Sequence, residues 1–108
     1  MGKAQRERGK RGERYVANRI RERLGVEAHR GVQYSGGPDS PDVVGLAGYH
    51  IEVKNVNRLD LHRALAQSRA DAGEHEAPVV IHHRDREHWY VTLDFEDFLD
   101  MYEKAYLE

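Results

Sequence analysis

The chain has 108 residues, of which 33% are charged and 39% hydrophobic, with a mean hydropathy of −0.85; that suffices for one modest core and not for two. No apolar run approaches the roughly 20 residues of a membrane span and no leader-like segment opens the chain, so a soluble, cytoplasmic protein is expected. Cysteine is absent, which excludes a disulfide framework and a thiolate metal site and leaves oxygen or imidazole donors for any metal. The net charge of −2 hides an asymmetry. Residues 1–30 hold ten Lys/Arg against four Glu, and the rest hold seven against fifteen acids. A split of this kind suits an anion-binding segment attached to an acidic domain, although a solvated tail would show it too.

In chain order, residues 1–8 have little apolar content and are expected to form a flexible basic arm, with a single domain over 9–108. From Gly9 to Leu24 the recurrence of Val16, Ala17, Ile20 and Leu24 predicts a helix with one apolar stripe. Glu13 lies three and four residues ahead of Val16 and Ala17 and so projects from that stripe. It reads either as a first-turn acid favouring the helix dipole or as a carboxylate aimed into a site. Gly25 ends the helix, and Val26 to Tyr34 reads as a strand. Residues 35–41, Ser-Gly-Gly-Pro-Asp-Ser-Pro, form a loop. Its glycines would let backbone N–H groups approach a phosphate, though such loops are mostly connections.

Pro41 to Leu46, a turn at Ala47-Gly48, and Tyr49 to Lys54 then read as a β-hairpin. Its second strand alternates, with Ile51 and Val53 on one face and His50, Glu52 and Lys54 on the other. Asp60 is expected to cap a helix from Leu61 to about Ala72, with Leu61, Ala64, Leu65, Ser68 and Ala72 buried and Gly73 closing it. Gln67 falls off that stripe on a flank that could face the polar side of the hairpin. Val79 to Ile81 is a short strand, and Trp89 to Leu93 a further one, in which Trp89 and Tyr90 are expected to pack rather than stack on bases. Asp94 opens a last helix whose apolar face is Phe95, Phe98, Leu99, Tyr102 and Tyr106. The order αβββαββα predicts an α/β fold, a central sheet flanked by helices.

The chemistry concentrates on the hairpin. Glu52 and Lys54 share a face, roughly 6–7 Å apart, and Asp42 heads the neighbouring strand. A solvated cross-strand ion pair is the ordinary meaning of such an acid and lysine. If Asp42, Glu52 and Glu13 converge, however, their mutual repulsion calls for a cation, and hard carboxylate donors select Mg²⁺ or Mn²⁺. Such an ion acidifies a water for attack on phosphorus, with Lys54 placed to orient that water or to stabilise the growing charge. Asp39 also follows a proline, but Asp42 is preferred because it opens the apolar run Val43-Val44. The seven histidines show no ligand spacing and read as surface residues or general DNA contacts.

Pro41-Asp42 followed by Glu52-Val53-Lys54 matches the PD-(D/E)xK nuclease signature, and the chain resembles the archaeal- and phage-type Holliday junction resolvases within that superfamily. Gly9 to Arg14 approximates their helix start, Ser35-Gly36-Gly37 their loop, Ile51 to Lys54 their strand, and Gln67 the Gln of their second helix. The resemblance covers about residues 9–93. It implies a restriction-endonuclease-like sheet, divalent metal (Mg²⁺, with Mn²⁺ substituting) on Glu13, Asp42 and Glu52, and Lys54 assisting the attacking water. Ser35 would lie near the scissile phosphate, and Gln67 would touch the site. It further implies a homodimer that resolves four-way DNA junctions by paired symmetric nicks. DNA phosphates would be contacted by Lys3, Arg6, Arg8, Lys10, Arg11, Arg14 and Arg30 in the basic first third. A generic repair or restriction-type nuclease, and a non-catalytic DNA-binding module, are the alternatives.

Overall fold

The computed structural model describes residues 2–31 and 40–108. Three helices and five strands run α1 (Lys3–Leu24), β1 (His29–Arg30), β2 (Val43–Val44), β3 (Tyr49–Asn55), α2 (Leu61–Asp71), β4 (Ala77–His83), β5 (Tyr90–Leu93) and α3 (Phe95–Tyr106). The strands form one mixed sheet in the order β1-β2-β3-β4-β5. β3 and β4 are parallel, with Ile51 opposite Val79 and Lys54 opposite His82, because α2 carries the chain back between them as a crossover. The other pairings are antiparallel.

α1 begins at Lys3 and not at the expected Gly9. Residues 3–8 supply good helix formers, so the helix extends through them without needing a buried stripe. Arg8 anchors this extension: its guanidinium pairs with Asp85 at 3.0 Å, and its carbonyl accepts from Asn55 Nδ2 at 3.1 Å. The basic side chains of residues 3–8 therefore ride on a helix. At the other end Gly25 adopts the left-handed conformation that closes the helix.

Among the described residues the first strand is His29–Arg30, beginning later than the expected Val26. A tight turn in which the Ala28 N–H donates to the Val26 carbonyl delays pairing until His29. Tyr34, the Ser35 loop and Asp39 lie outside the described residues. Asp60 caps α2 by accepting from the Arg63 N–H at 3.1 Å, with Ala64 and Ser68 buried beneath the helix. Its C-cap is Ala72, one residue before the expected Gly73.

The core is Val16, Ala17, Val43, Ile51 and Val53, with Ile20, Leu46, Tyr49, Ile81 and Trp89 packed around it. Trp89 stacks between Tyr15 of α1 and His83 of β4, at ring separations of 4.9 and 4.6 Å, as its packing role requires. The last helix departs from expectation. Its apolar face is solvent-facing: Phe95, Phe98, Leu99, Tyr102 and Tyr106 are all exposed, and no residue of α3 is buried. The sheet beneath has already filled its core with α1 and α2, and α3 is tethered at its start by the Arg69–Asp94 ion pair.

α1 lies close enough to β3 that Gly12 is buried, and a Cβ there would sit 2.8 Å from the Asn55 Cβ. Gly9, three residues earlier in the same helix, has open space. Gly9→Ala should stabilise the protein by about 1 kcal/mol through helix propensity. Gly12→Ala should instead destabilise it despite the same propensity gain, since overpacking costs about 1–3 kcal/mol. Denaturant midpoints of the two variants provide the check.

Candidate active site

β3 is covered on both faces, by α1 over Ile51 and Val53 and by α2 over His50. Ser68 Oγ of α2 donates to the His50 carbonyl at 3.1 Å. Glu52 is thus only 7% exposed, and the solvated ion-pair reading of Glu52 and Lys54 does not hold. A charge placed here without purpose would be costly.

Asp42 enters from β2. Its Oδ2 accepts from the Val53 N–H at 2.8 Å, while its own N–H donates to the Ile51 carbonyl at 2.9 Å. The hairpin register thereby sets the Asp42 carboxyl against that of Glu52. Burial, reinforced by the Glu52 charge and a hydrogen bond to Glu52, pushes Asp42 up from 3.8 to about 7. Glu52 is also raised, chiefly by burial and further by the charges of Asp71 and Glu13, with the hydrogen bond from Asp42 and the charge of Lys54 opposing. The two carboxyls raise each other's cost of ionisation in this buried setting, so the pair is disfavoured in its doubly charged form.

Glu13 comes from α1 and accepts from Arg30 Nε at 2.9 Å. Burial raises its pKa, the Arg30 bond opposes this, and the Asp42 charge adds to it. Glu13, Asp42, Glu52 and Lys54 all line one cleft of about 790 Å³. Its rim carries Arg6, Arg8, Lys10, Arg30 and Arg58.

Two carboxyls set against each other, a lysine two residues after the second and a cleft lined by basic residues suit the cleavage of a phosphodiester. The model of the family described as "Phage putative PDDEXK endonuclease" matches residues 4–107. The chain belongs to this PDDEXK endonuclease family. Neither the curated proteins nor the solved structures hold a significant match to it. The five-stranded mixed sheet flanked by helices is compatible with the restriction-endonuclease-like fold.

The family's divalent metal fits the residues present. Three carboxylates face one cleft, each held above its ordinary pKa by burial, and hard oxygen donors in such a state gain by meeting a cation. Asp42 and Glu52 would hold it; Glu13, also expected as a ligand, lines the same cleft but is bonded to Arg30.

The remaining expected residues divide. Arg6, Arg8, Lys10 and Arg30 line the cleft, although Arg8 is engaged with Asp85 and Arg30 with Glu13. Lys3, Arg11 and Arg14 are exposed along α1. Gln67 is exposed on α2 and donates to Asp71 Oδ2 at 2.8 Å, away from the cleft lining. Ser35 lies outside the described residues. Sequence reasoning missed Arg58, which the turn after β3 brings to the rim, and Asn55, which clamps β3 to α1 and also accepts from His83 Nδ1 at 2.9 Å.

It also misread His50. This histidine is 1% exposed, with Nε2 3.0 Å from Glu52 Oε1, not a surface residue. The strand alternation that put it on the face of Glu52 was the signal, and what turned that face into an interior was the parallel crossover.

Because Asp42 binds its proton more tightly when folded, the native state holds more protons than the unfolded chain between pH 3.8 and about 7. Stability is therefore fully supported below that window and lost as pH rises through it. At about 1.4 kcal/mol per pH unit, the loss is no more than ~4 kcal/mol. Thermal melts of the metal-free protein should show Tm falling from pH 5 to pH 8. The slope should flatten in Asp42→Asn, and millimolar Mg²⁺ should restore wild-type Tm most at pH 8; an equal slope in the variant refutes the assignment.

Proposed function

We propose that the protein is a Mg²⁺-dependent, structure-selective DNA endonuclease that resolves four-way (Holliday) junctions during recombination or repair by paired symmetric nicks. The observation that carries the hydrolytic part is the placing of Asp42, Glu52 and Lys54 together in one cleft lined by arginines. A divalent ion held there supplies Lewis-acid stabilisation and an acidified water.

The protein's own groups do the rest. The Val53 N–H holds the Asp42 carboxyl in place, so Asp42 and Glu52 present oxygens without reorganising. Lys54 stands next on the same face of β3, where its ammonium stabilises charge developing on the phosphate and orients the attacking water. Arg30 fixes Glu13 beside them. Arg6, Lys10 and Arg58 on the rim neutralise the DNA backbone, which gives affinity without base readout. α1, about 33 Å long at 1.5 Å per residue, continues this basic flank with Arg11 and Arg14.

Labelled four-way junction and linear duplex, each incubated with Mg²⁺, test the reading. Wild type should place paired nicks in the junction, and Glu52→Ala and Lys54→Ala should each lower the rate by at least about 100-fold. Equal cutting of linear duplex would reduce the reading to a generic nuclease, and binding without nicks to a DNA-binding module.

Paired nicks require two active sites, and each chain carries one acid–lysine set, so the reading includes a homodimer. The exposed stripe of Phe98, Leu99 and Tyr102 on α3 is the apolar surface that supports it. A 12-residue helix is marginal without packing, and a two-fold contact buries the same stripe on both copies. Light scattering should give twice the monomer mass. Phe98→Glu combined with Leu99→Glu should give monomers that nick junctions singly; an unchanged mass excludes this surface.

A further inference from the structure

Beside the carboxyl cup, on the α2 side of β3, a second group of donors converges. His50, Glu52 and Asp71 each offer one ligand atom, and these atoms all lie within 4.8 Å of one another. His50 comes from the strand and Asp71 from the last turn of α2, so the parallel crossover itself brings them together.

Two of the donors have polar neighbours outside the cluster. Glu76 Oε1 approaches His50 Nδ1 to 3.7 Å, from the other ring nitrogen than the one that faces Glu52. Gln67 Nε2 donates to Asp71 Oδ2 at 2.8 Å. An amide bonded to a ligating carboxylate is the kind of outer-shell contact by which proteins orient metal ligands. The full burial of His50 leaves its Nε2 no solvent partner, only Glu52 at 3.0 Å.

We propose that His50, Glu52 and Asp71 form a second divalent-cation site, next to the Asp42–Glu52 cup and sharing Glu52 with it, which favours an imidazole-binding transition ion such as Mn²⁺ or Zn²⁺ over Mg²⁺. The preference follows from donor chemistry: one imidazole and two carboxylates suit a borderline ion, whereas Mg²⁺ favours oxygen donors and retained waters. The site gives Gln67 a place in the machinery, as the residue that aims Asp71. It does not depend on which DNA is cut or on whether any is.

Mn²⁺ titration of the full chain, followed by pulsed EPR, tests this without an activity assay. Wild type should bind Mn²⁺ with a ¹⁴N coupling from imidazole, and Asp42→Asn, which impairs only the cup, should keep that coupling. His50→Gln should abolish it, and Asp71→Asn should weaken the nitrogen-coupled ion by at least ~10-fold. Competing Mg²⁺ should displace this ion poorly. Absence of nitrogen coupling in wild type, or binding by Asp71→Asn equal to that of wild type, overturns the site. Asp71 is partly exposed, so its variant decides the matter even if His50→Gln fails to fold. Loss of all Mn²⁺ in Asp42→Asn would mean a single site centred on the cup, and would also overturn the proposal. Failure of junction cleavage with nitrogen coupling intact would count against the nuclease reading alone.

Discussion

The hydrogen bond from the Val53 N–H to Asp42 Oδ2 is the constraint on which the site depends. The backbone bond beside it, from the Asp42 N–H to the Ile51 carbonyl, is set by the antiparallel register of β2 and β3, so the register delivers the Asp42 side chain to this place. Through it a carboxyl is committed to an interior position directly against a second carboxyl. Two like charges in that setting cannot both ionise cheaply, and both carboxyls are held above their ordinary pKa. The same conflict makes the cup receptive to a cation. Folding energy is thus given up at the place where chemistry needs charge to be unsatisfied.

The surrounding structure keeps this arrangement rigid. Gly12 lets α1 approach β3 closely, Asn55 bonds across the approach to the Arg8 carbonyl, and the Tyr15–Trp89–His83 stack fastens the same helix to the far side of the sheet. These contacts hold Glu13 and the cationic rim over the cup. A helix that carries both a carboxylate of the site and its basic border makes substrate attraction and acid placement a single structural property.

Much of this was legible in the residues. Hydrophobic spacing gave α1 and α2 because their stripes pack on a sheet, and Asp60 marked the start of α2 through its cap. The Pro-Asp and Glu-x-Lys pattern pointed to residues that line one cleft, since strand alternation puts Glu52 and Lys54 on one face whatever the tertiary context. The first turns of α1 were not legible, because a helix made of charged formers has no apolar period to detect. The exposure of α3 was hidden for the converse reason: an apolar stripe announces that something will cover it, not what.

The sequence by itself determined the local geometry: which residues form helices, which share a strand face, and where acids and a lysine are spaced for phosphodiester chemistry. Only the tertiary structure decided what that face meets. The parallel pairing of β3 with β4 requires the α2 crossover, and the crossover buries His50 and Glu52 and brings Asp71 against them. Alternation along a strand is a property of neighbouring residues, whereas burial of both faces depends on segments distant in the chain, such as Ser68 over His50.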